Sequence, residues 1–432
     1  MPLTDDKLDV KILKGNIIFT PELGKFSMHE DSYIIVENNK VKSICKTLPA
    51  EYKNFEVDDY GNKLIIPGFV DLHFHAPQYA NRGLGLDKEL LPWLEDYTFP
   101  EEAKFADVDY AKKIYKRVVK EVWKQGTTRI VVFGSLHKES TKILLDYFIK
   151  SGLGAFVGKV GMDRNSPDYL IEETEHSLAH TEEILKEYAN KSDIVKPIIT
   201  PRFVPTCTPE SMGGFGELAK KYNVPIQSHL SENTGEVEWV KELHPEFDNY
   251  ASVYHSFGCF GQLPTVMAHC VHNIDEEIDL MSDTGVYAAH CPNANYNLSS
   301  GIMPVRKFLN KGCKVGLGTD VGAGHKVSIA NVMSIAIQAS KIKWLESDKA
   351  LDPITTEEAF YLGTKGGGSF FGKVGSFEEG YDFDALVIDD SYLGDTDLSL
   401  RERLQRYIYI GDDRNIVDRY VAGKKVDEPV LD

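Results

Sequence analysis

His73 and His75 lie two residues apart at the end of an apolar stretch that begins at Phe69. Residues i and i+2 of a β-strand point to the same face, so the two imidazoles can aim at one point. Two neutral imidazoles on a rigid strand are half of a typical zinc site. Because paired histidines near a strand end are also common as ordinary polar residues, ligands from elsewhere in the chain must decide between the two interpretations.

The elements that must position such a site alternate along the middle of the chain. Apolar residues recur every four positions from Tyr110 to Val122, and Gly126 follows them, which predicts a helix with a glycine just past its end. Residues 127–133 then predict a strand, and the same alternation continues toward the C-terminus. Eight strands in all, with helices between them, predict an α/β fold of the (β/α)8 barrel type.

Both ends of the chain differ from this middle part, because they contain short β segments separated by turns. Turn signals at residues 14–16 and 37–39 predict hairpins in the N-terminal region. Residues 383–388 and 417–421 predict strands near the C-terminus. We therefore expect one small β domain to be built from both termini.

Polar residues follow the predicted strands of the middle part, at the ends where such barrels carry their chemistry. They are His73, His75, Arg202, His229, His269, His290 and Asp320. Within this set, His73, His75, His229 and Asp320 would supply three nitrogens and one carboxylate oxygen from three strands to one metal ion. We interpret His290, which precedes Cys291 and a proline, as orienting its neighbours through hydrogen bonds rather than as a ligand.

Composition limits the partners and the cellular location that we expect. The 432 residues carry a net charge of −18 and no basic run, which argues against nucleic acid and favours a small, roughly neutral substrate. The N-terminal residues do not resemble a secretory signal, and no apolar run is long enough to cross a membrane. The six scattered cysteines lack a C-x-x-C pair, so we expect them to be reduced and buried in a cytoplasmic protein.

These residues, in this order, resemble the amidohydrolase superfamily and, within it, the family of guanine deaminases. The stretches that carry the resemblance are HAPQ at 75–78, LLPWLEDYTFPEEAKF at 90–105, GKVGMD at 158–163, PRF at 201–203, HLSEN at 229–233 and HCPNANYNLSSG at 290–301. The resemblance spans essentially the whole chain. It implies a barrel over residues 67–375 and a β-sandwich domain formed by residues 1–66 and 376–432.

The resemblance also implies a single metal ion per subunit. Superfamily members with two metals usually carry a carboxylated lysine at the end of strand 4, where this chain has the neighbourhood of Arg202, and Lys159 lies inside strand 3. Zinc is the default for a nitrogen-rich site that performs hydrolysis, although iron tolerates the same ligands.

The implied reaction converts guanine and water into xanthine and ammonia. Zinc lowers the pKa of bound water to about 7, and the resulting hydroxide attacks the ring carbon that bears the amine. Asp320 is expected to accept the water proton, and Glu232 to move protons to a ring nitrogen and to the leaving amine. By resemblance, His269 contacts the attacking oxygen or the reacting centre, with His272 as a nearby competitor for that role.

For substrate contacts we expect Gln78, Arg202 and Phe203, together with Glu232, His269 and Asp320. A guanidinium suits a carbonyl oxygen with an adjacent ring nitrogen, an amide suits an amide-like ring edge, and a phenyl ring can pack on the base. The alternative for Arg202 is a structural ion pair. The aromatic connection at residues 79–100 is interpreted as a lid over the pocket, with simple packing as the alternative.

Other functions share parts of this pattern. A deaminase or hydrolase acting on a triazine, a pterin or an adenosine derivative would use the same metal ligands, and a metal-free scaffold protein would have lost them. His244 and Glu246 superficially resemble the H-x-E of cytidine-type deaminases, but their P-C-x-x-C partner is absent from the sequence. By resemblance and by base rate we expect a homodimer.

Overall fold

The computed structural model of the chain describes residues 9–394 and 397–431. The predicted domain limits at residues 1 and 432 lie outside the described residues. The strands are β1 Val10–Glu22, β2 Lys25–Glu37, β3 Lys40–Cys45, β4 Val57–Pro67, β5 Phe69–His75, β6 Thr127–Phe133, β7 Gly154–Gly158, β8 Val160–Gly161, β9 Val195–Pro197, β10 Thr200–Pro201, β11 Ile226–Leu230, β12 Thr265–His269, β13 Tyr287–His290, β14 Lys314–Leu317, β15 Ala385–Ile388, β16 Ile416–Val421 and β17 Lys424–Lys425.

Helices separate most of these strands. They are α1 Leu90–Trp93, α2 Phe99–Ala103, α3 Val108–Lys124, α4 Lys138–Ser151, α5 Thr174–Tyr188, α6 Pro209–Tyr222, α7 Thr234–Leu243, α8 Tyr250–Ser256, α9 Asp275–Thr284, α10 Pro292–Asn297, α11 Val305–Asn310, α12 Ile329–Glu346, α13 Thr356–Tyr361 and α14 Leu400–Ile410. Single turns of 3-10 or π helix, such as the π turn Leu94–Thr98, connect several of them.

The predicted helix before residue 126 is confirmed as α3. The Asp107 side chain caps its first turn by accepting hydrogen bonds from the backbone N–H groups of Asp109 and Tyr110. The apolar stripe that contains Ile114 is buried, and Gly126 follows the helix with a φ of 78°, a conformation that favours glycine. The strand predicted over residues 127–133 is β6.

Two four-stranded parallel sheets run through the middle of the chain, in the orders β5-β6-β7-β9 and β11-β12-β13-β14. A parallel bridge between Ile199 and Ile226 joins the first sheet to the second. After β14 the backbone returns to β5, where the N–H of Asp320 donates to the carbonyl of His73 at 2.8 Å. The predicted α/β class is thus confirmed, and the strand ends of both sheets meet near His73.

Both termini contribute to one seven-stranded sheet, in the order β17-β16-β15-β4-β1-β2-β3. The turn predicted at residues 37–39 is confirmed, because Asn38 and Asn39 have positive φ values between β2 and β3. The turn predicted at residues 14–16 is wrong. There β1 continues through a register shift between Gly15 and Ile17, and Gly15 leaves room for the side chain of Ile65, whose Cδ1 lies 3.0 Å from where a Cβ would stand.

Among the described residues no helix has the length and apolar composition needed to cross a membrane. The six cysteines are free thiols, as predicted. Five of them are buried, whereas Cys45, at the end of edge strand β3, is only partly buried.

Candidate active site

One cavity at the ends of the parallel strands collects the residues that the sequence singled out. The predicted site residues that line it are His75, Gln78, Arg202, Phe203, His229, Glu232, His269 and Asp320. His73 lies directly behind this wall and is 1% exposed. Leu90, Trp93 and Leu94 also line the cavity, so the segment after β5 covers one of its sides.

The four predicted metal ligands converge in the geometry that a small cation requires. The ring nitrogens of His73, His75 and His229 lie within 4.8 Å of one another. His75 Nε2 is 3.1 Å from His229 Nε2, and Asp320 Oδ1 is 3.1 Å from His73 Nε2 and 3.6 Å from His75 Nε2. Ligands about 2.05 Å from a tetrahedral zinc lie about 3.3 Å apart, so these separations fit such an ion.

The lone pairs of these imidazoles are available to a metal. The Nδ1 of His229 lies 2.6 Å from the carbonyl of Arg202 and donates to it, which leaves Nε2 unprotonated in the neutral ring. Burial, and then the neighbouring imidazole of His73, lower the pKa of both His75 and His229 well below 6.5. Within the described ranges the buried Nε2 of His73 makes no hydrogen bond of regular geometry, and the polar atom near it, Asp320 Oδ1 at 3.1 Å, belongs to another predicted ligand.

A fifth side chain, that of His269, also places a ring nitrogen close to the predicted metal ligands. His73, His269 and Asp320 form a second group whose ligand atoms all lie within 4.8 Å of one another. His269 Nε2 is 3.8 Å from Asp320 Oδ2 and 3.5 Å from Glu232 Oε2. His269 therefore lies between the predicted metal ligands and the predicted proton shuttle.

His272, the alternative candidate for the role of His269, does not line this cavity. His272 Nε2 lies 2.7 Å from the carbonyl of Ser300, and His272 lines a different cavity together with Tyr250. His269, by contrast, is 1% exposed and its Nδ1 lies 2.9 Å from Asn295 Oδ1. The geometry therefore favours His269 over His272 for contact with a reacting group.

Two carboxyl groups in the cavity have opposite electrostatic surroundings. Burial raises the pKa of Glu232 well above 4.5, and the nearby carboxylates of Glu236 and Asp320 raise it further. Burial, the largest single effect, acts to raise the pKa of Asp320, but the rings of His73 and His269 and the guanidinium of Arg202 together outweigh it, and the pKa is lowered. Glu232 is therefore suited to hold a proton and Asp320 to stay ionised, as a general acid and a general base require.

Glu236 fixes the backbone at Glu232. Its Oε2 accepts from the N–H of Glu232 at 2.8 Å and from the N–H of Asn233 at 3.1 Å. Its Oε1 accepts from the hydroxyl of Tyr250 at 2.8 Å. The Ser300 hydroxyl, 3.5 Å from Glu232 Oε1, approaches the carboxyl group itself. Glu232 is thus anchored through its main chain while its side chain faces the cavity.

Two of the predicted substrate contacts, Arg202 and Gln78, share one carboxylate partner. Arg202 Nη1 donates to Glu102 Oε2 at 2.6 Å, and Gln78 Nε2 donates to Glu102 Oε1 at 2.9 Å. Phe203 packs edge-on near His229, with the ring centroids 6.4 Å apart. Arg202 therefore makes an ion pair with Glu102 and also lines the cavity, so the two interpretations of this residue do not exclude each other.

The structure also shows the surroundings of Lys159 and His290, two residues that were interpreted from the sequence. Lys159 lies between β7 and β8 rather than inside a strand, it is buried, and its Nζ donates to Glu172 and Ser177. Neither ring nitrogen of His290 has a hydrogen-bond partner within residues 9–394 and 397–431, so its expected hydrogen-bonding role stays a prediction. Burial, with a contribution from His269, lowers the pKa of His290 to about 3, so this ring packs as a neutral group.

Sequence reasoning missed the residues that support the ligands. The ring of Phe133, at the end of β6, lies 5.1 Å from that of His73, 4.6 Å from that of His75 and 4.8 Å from that of His229. Asp71 accepts from the N–H groups of His73 and Thr319, which ties β5 to the turn that carries Asp320. The position of Phe133 at a strand end was the one available signal.

Comparison with known proteins agrees with this geometry. The Amidohydrolase family pattern matches residues 64–426. Guanine deaminase from Dictyostelium discoideum is 40% identical over 446 aligned positions, covering 96% of this chain and 98% of the relative. Guanine deaminase from Rattus norvegicus is 39% identical, covering 96% and 93%. The crystal structure of guanine deaminase from C. acetobutylicum, with guanine bound in the active site, is 57% identical, covers 97% of this chain and 100% of that one, and superposes with a TM-score of 0.96.

Proposed function

The chain belongs to the amidohydrolase family, and from this premise we propose that it catalyses the hydrolytic deamination of guanine to xanthine and ammonia. The observation that carries the proposal is the cavity, where a cluster of imidazoles and carboxyl groups faces Gln78 and Arg202. An amide and a guanidinium match the carbonyl and ring nitrogens of an oxopurine. The similarity to guanine deaminases supports the same substrate.

We propose His73, His75, His229 and Asp320 as the residues that hold one zinc ion, with Fe²⁺ as a metal that accepts the same donors. When bound, zinc supplies the Lewis acidity that makes water a nucleophile near neutral pH. The neutral rings of His75 and His229 and the ionised Asp320 are the protonation states that such an ion requires.

The side chains of this chain then manage the protons. A C–O bond forms at the ring carbon that bears the amine, and the C–N bond breaks. Asp320 accepts a proton from water, and Glu232, which holds a proton because of its raised pKa, protonates a ring nitrogen. Glu232 then removes the remaining proton from the attacking oxygen and passes it to the amine, which leaves as ammonia, and the proton on Asp320 returns to Glu232. His269, between the two carboxyl groups, contacts the reacting centre.

The wider assignments follow the same family. We propose that the eight parallel strands around the site form a (β/α)8 barrel over residues 67–375. The bridge between Ile199 and Ile226 and the hydrogen bond from Asp320 to His73 support a closed ring of strands. A β-sandwich formed by the two termini, a homodimer and a cytoplasmic location complete the proposal.

The test is the turnover of guanine by purified protein carrying one equivalent of zinc, with xanthine and ammonia both quantified. Glu232→Gln should lower kcat about 100- to 10,000-fold, the range for removal of a general acid and base. Glu277→Gln is the matched control, because this carboxyl group is also buried but accepts backbone hydrogen bonds at the start of α9. Zinc-loaded, folded protein that leaves guanine unchanged would refute the proposal, and adenine, cytosine, pterin and triazine substrates would then be screened.

A further inference from the structure

Glu102 is a buried carboxylate behind the wall of the cavity. It belongs to the short helix α2, is 4% exposed, and does not itself line the cavity. An ionised carboxylate in such a place is costly unless charged or polar donors surround it. Its two oxygens are each bound by a residue that does line the cavity, Arg202 on one side and Gln78 on the other.

The first contact fixes the amide of Gln78. Its Nε2 donates to Glu102 Oε1 at 2.9 Å, and its Oε1 accepts from the N–H of Gly322 at 3.3 Å. A flipped amide would place oxygen against the carboxylate and NH2 against the N–H of Gly322, so both contacts would become repulsive. The carboxylate of Glu102 thus determines which atoms of Gln78 face the cavity.

The second contact fixes the guanidinium of Arg202. Nη1 donates to Glu102 Oε2 at 2.6 Å, and the ring of Phe99, also on α2, lies 5.5 Å from the guanidinium carbon. In the described part of the chain, the guanidinium makes its hydrogen bonds through Nη1, to Glu102 and to the sulfur of Met162. The donors on Nε and Nη2 therefore remain for a ligand.

We infer that Glu102 is a positioning residue that makes the cavity selective for purines with a ring carbonyl. It holds Arg202 and Gln78 in a fixed arrangement, with guanidinium donors directed at an acceptor oxygen. A purine without that oxygen leaves these buried donors unpaired, and unpaired donors are the main source of discrimination in polar pockets. The inference rests on the proposed function, because it concerns recognition of the same substrate.

Direct binding of two unreactive ligands tests the inference. Hypoxanthine has the ring carbonyl of guanine and lacks its amine, whereas purine lacks both, so neither is deaminated. In Glu102→Gln, an NH2 group replaces one acceptor oxygen and faces a donor. We expect Kd for hypoxanthine, measured by calorimetry on the zinc-loaded protein, to rise about 10- to 100-fold, as for loss of one charged hydrogen bond, and Kd for purine to change less than about threefold.

Glu101→Gln is the matched control. Glu101 is the neighbouring residue on α2 and is similarly buried, but its carboxylate binds Lys104 and Tyr110. This variant should leave the ratio of the two Kd values unchanged. Glu102→Asp, which keeps the charge and shortens the side chain, should shift the ratio in the same direction as Glu102→Gln and covers the case in which that variant does not fold.

An equal loss of affinity for both ligands, or no loss for either, would overturn the inference. Guanine turnover by the wild type is measured beside these titrations, so that failure of the proposed function is recognised separately. Where the wild type turns over guanine, Glu102→Gln should raise KM for guanine by a larger factor than it lowers kcat, since a positioning residue acts through binding.

Discussion

His269 depends on one side chain for its orientation. Its Nδ1 lies 2.9 Å from Asn295 Oδ1, so the ring donates there, and its Nε2 faces Glu232 and Asp320. Asn295→Ala leaves the ring free to rotate or to change tautomer. We expect kcat/KM for guanine to fall about 10- to 100-fold, the usual cost of losing a group that orients a functional histidine.

Asn293→Ala is the control for this prediction. Asn293 is on the same helix, α10, and is also buried, but its Nδ2 donates to Asn331 at 3.0 Å, away from His269. Both variants should lose a similar amount of thermal stability. Equal losses of activity in the two variants would show that Asn295 acts only through the packing of α10.

At this scale the sequence predicts the residues that line the cavity but misses those that hold them in place. His73 and His75 are visible because their spacing on a strand has one geometric meaning. Glu102 and Asn295 carry no such signal, since each lies on a helix and meets its partner only after the chain has folded. Arg202 Nη1 and Glu102 Oε2, for example, come from residues 100 positions apart.

Among the elements, the ends of the parallel strands are where the backbone departs from ordinary strand geometry. Ser231, His269, Cys270 and Asp320 all have positive φ values, which are uncommon for residues with a side chain. Such conformations persist where surrounding contacts determine them, and they are concentrated at functional sites. Alternating patterns predict where a strand runs, as for β6, but they do not predict how the chain turns at its end.

Gly318, between β14 and the turn that carries Asp320, allows the close approach of two elements. A Cβ at this position would stand 2.8 Å from the sulfur of Cys291 and 2.9 Å from the Cβ of His73. Gly318→Ala should therefore displace His73, lower the zinc content of purified protein, and reduce the free energy of unfolding by about 1–3 kcal/mol, as overpacking does. Metal analysis and denaturant titration measure the two effects.

Gly213→Ala is the comparison for this substitution. Gly213 lies inside α6, and a Cβ there would stand 3.9 Å from the nearest atom outside the backbone of that helix, a ring carbon of Phe257. Alanine there should be neutral or stabilise the helix by about 0.5–1 kcal/mol. Adding Cys291→Ala to Gly318→Ala should restore part of the zinc content, because it removes one of the two close contacts. Full zinc content in Gly318→Ala alone would contradict the packing argument.

At the scale of the whole molecule, one buried ion pair connects the terminal sheet to the parallel strands. Arg129 on β6 donates from Nε to Asp384 Oδ2 at 2.6 Å and from Nη2 to Oδ1 at 3.0 Å. Asp384 precedes β15 and also accepts from the N–H of Ala422 at 2.7 Å and, through its carbonyl, from the N–H of Gly68 at 3.0 Å. Neither partner was visible in the sequence, because 255 positions separate them.

Asp384→Ala should lower the free energy of unfolding by about 3–5 kcal/mol, because the buried guanidinium of Arg129 loses its bidentate partner and keeps the longer contact to the partly exposed Asp382, whose Oδ2 lies 3.6 Å from Nη2. Glu379→Ala breaks the exposed pair with Lys42, whose atoms lie 3.3 Å apart, and should cost less than about 1 kcal/mol. Denaturant unfolding of both variants measures the difference. A loss below about 1 kcal/mol in Asp384→Ala would contradict the prediction and would mean that this ion pair does not stabilise the fold. The expected loss would instead show that this pair is one of the polar contacts through which the two chain ends stabilise the strands that carry the site, beside those of Arg419 with the carbonyls of Trp123 and Lys124.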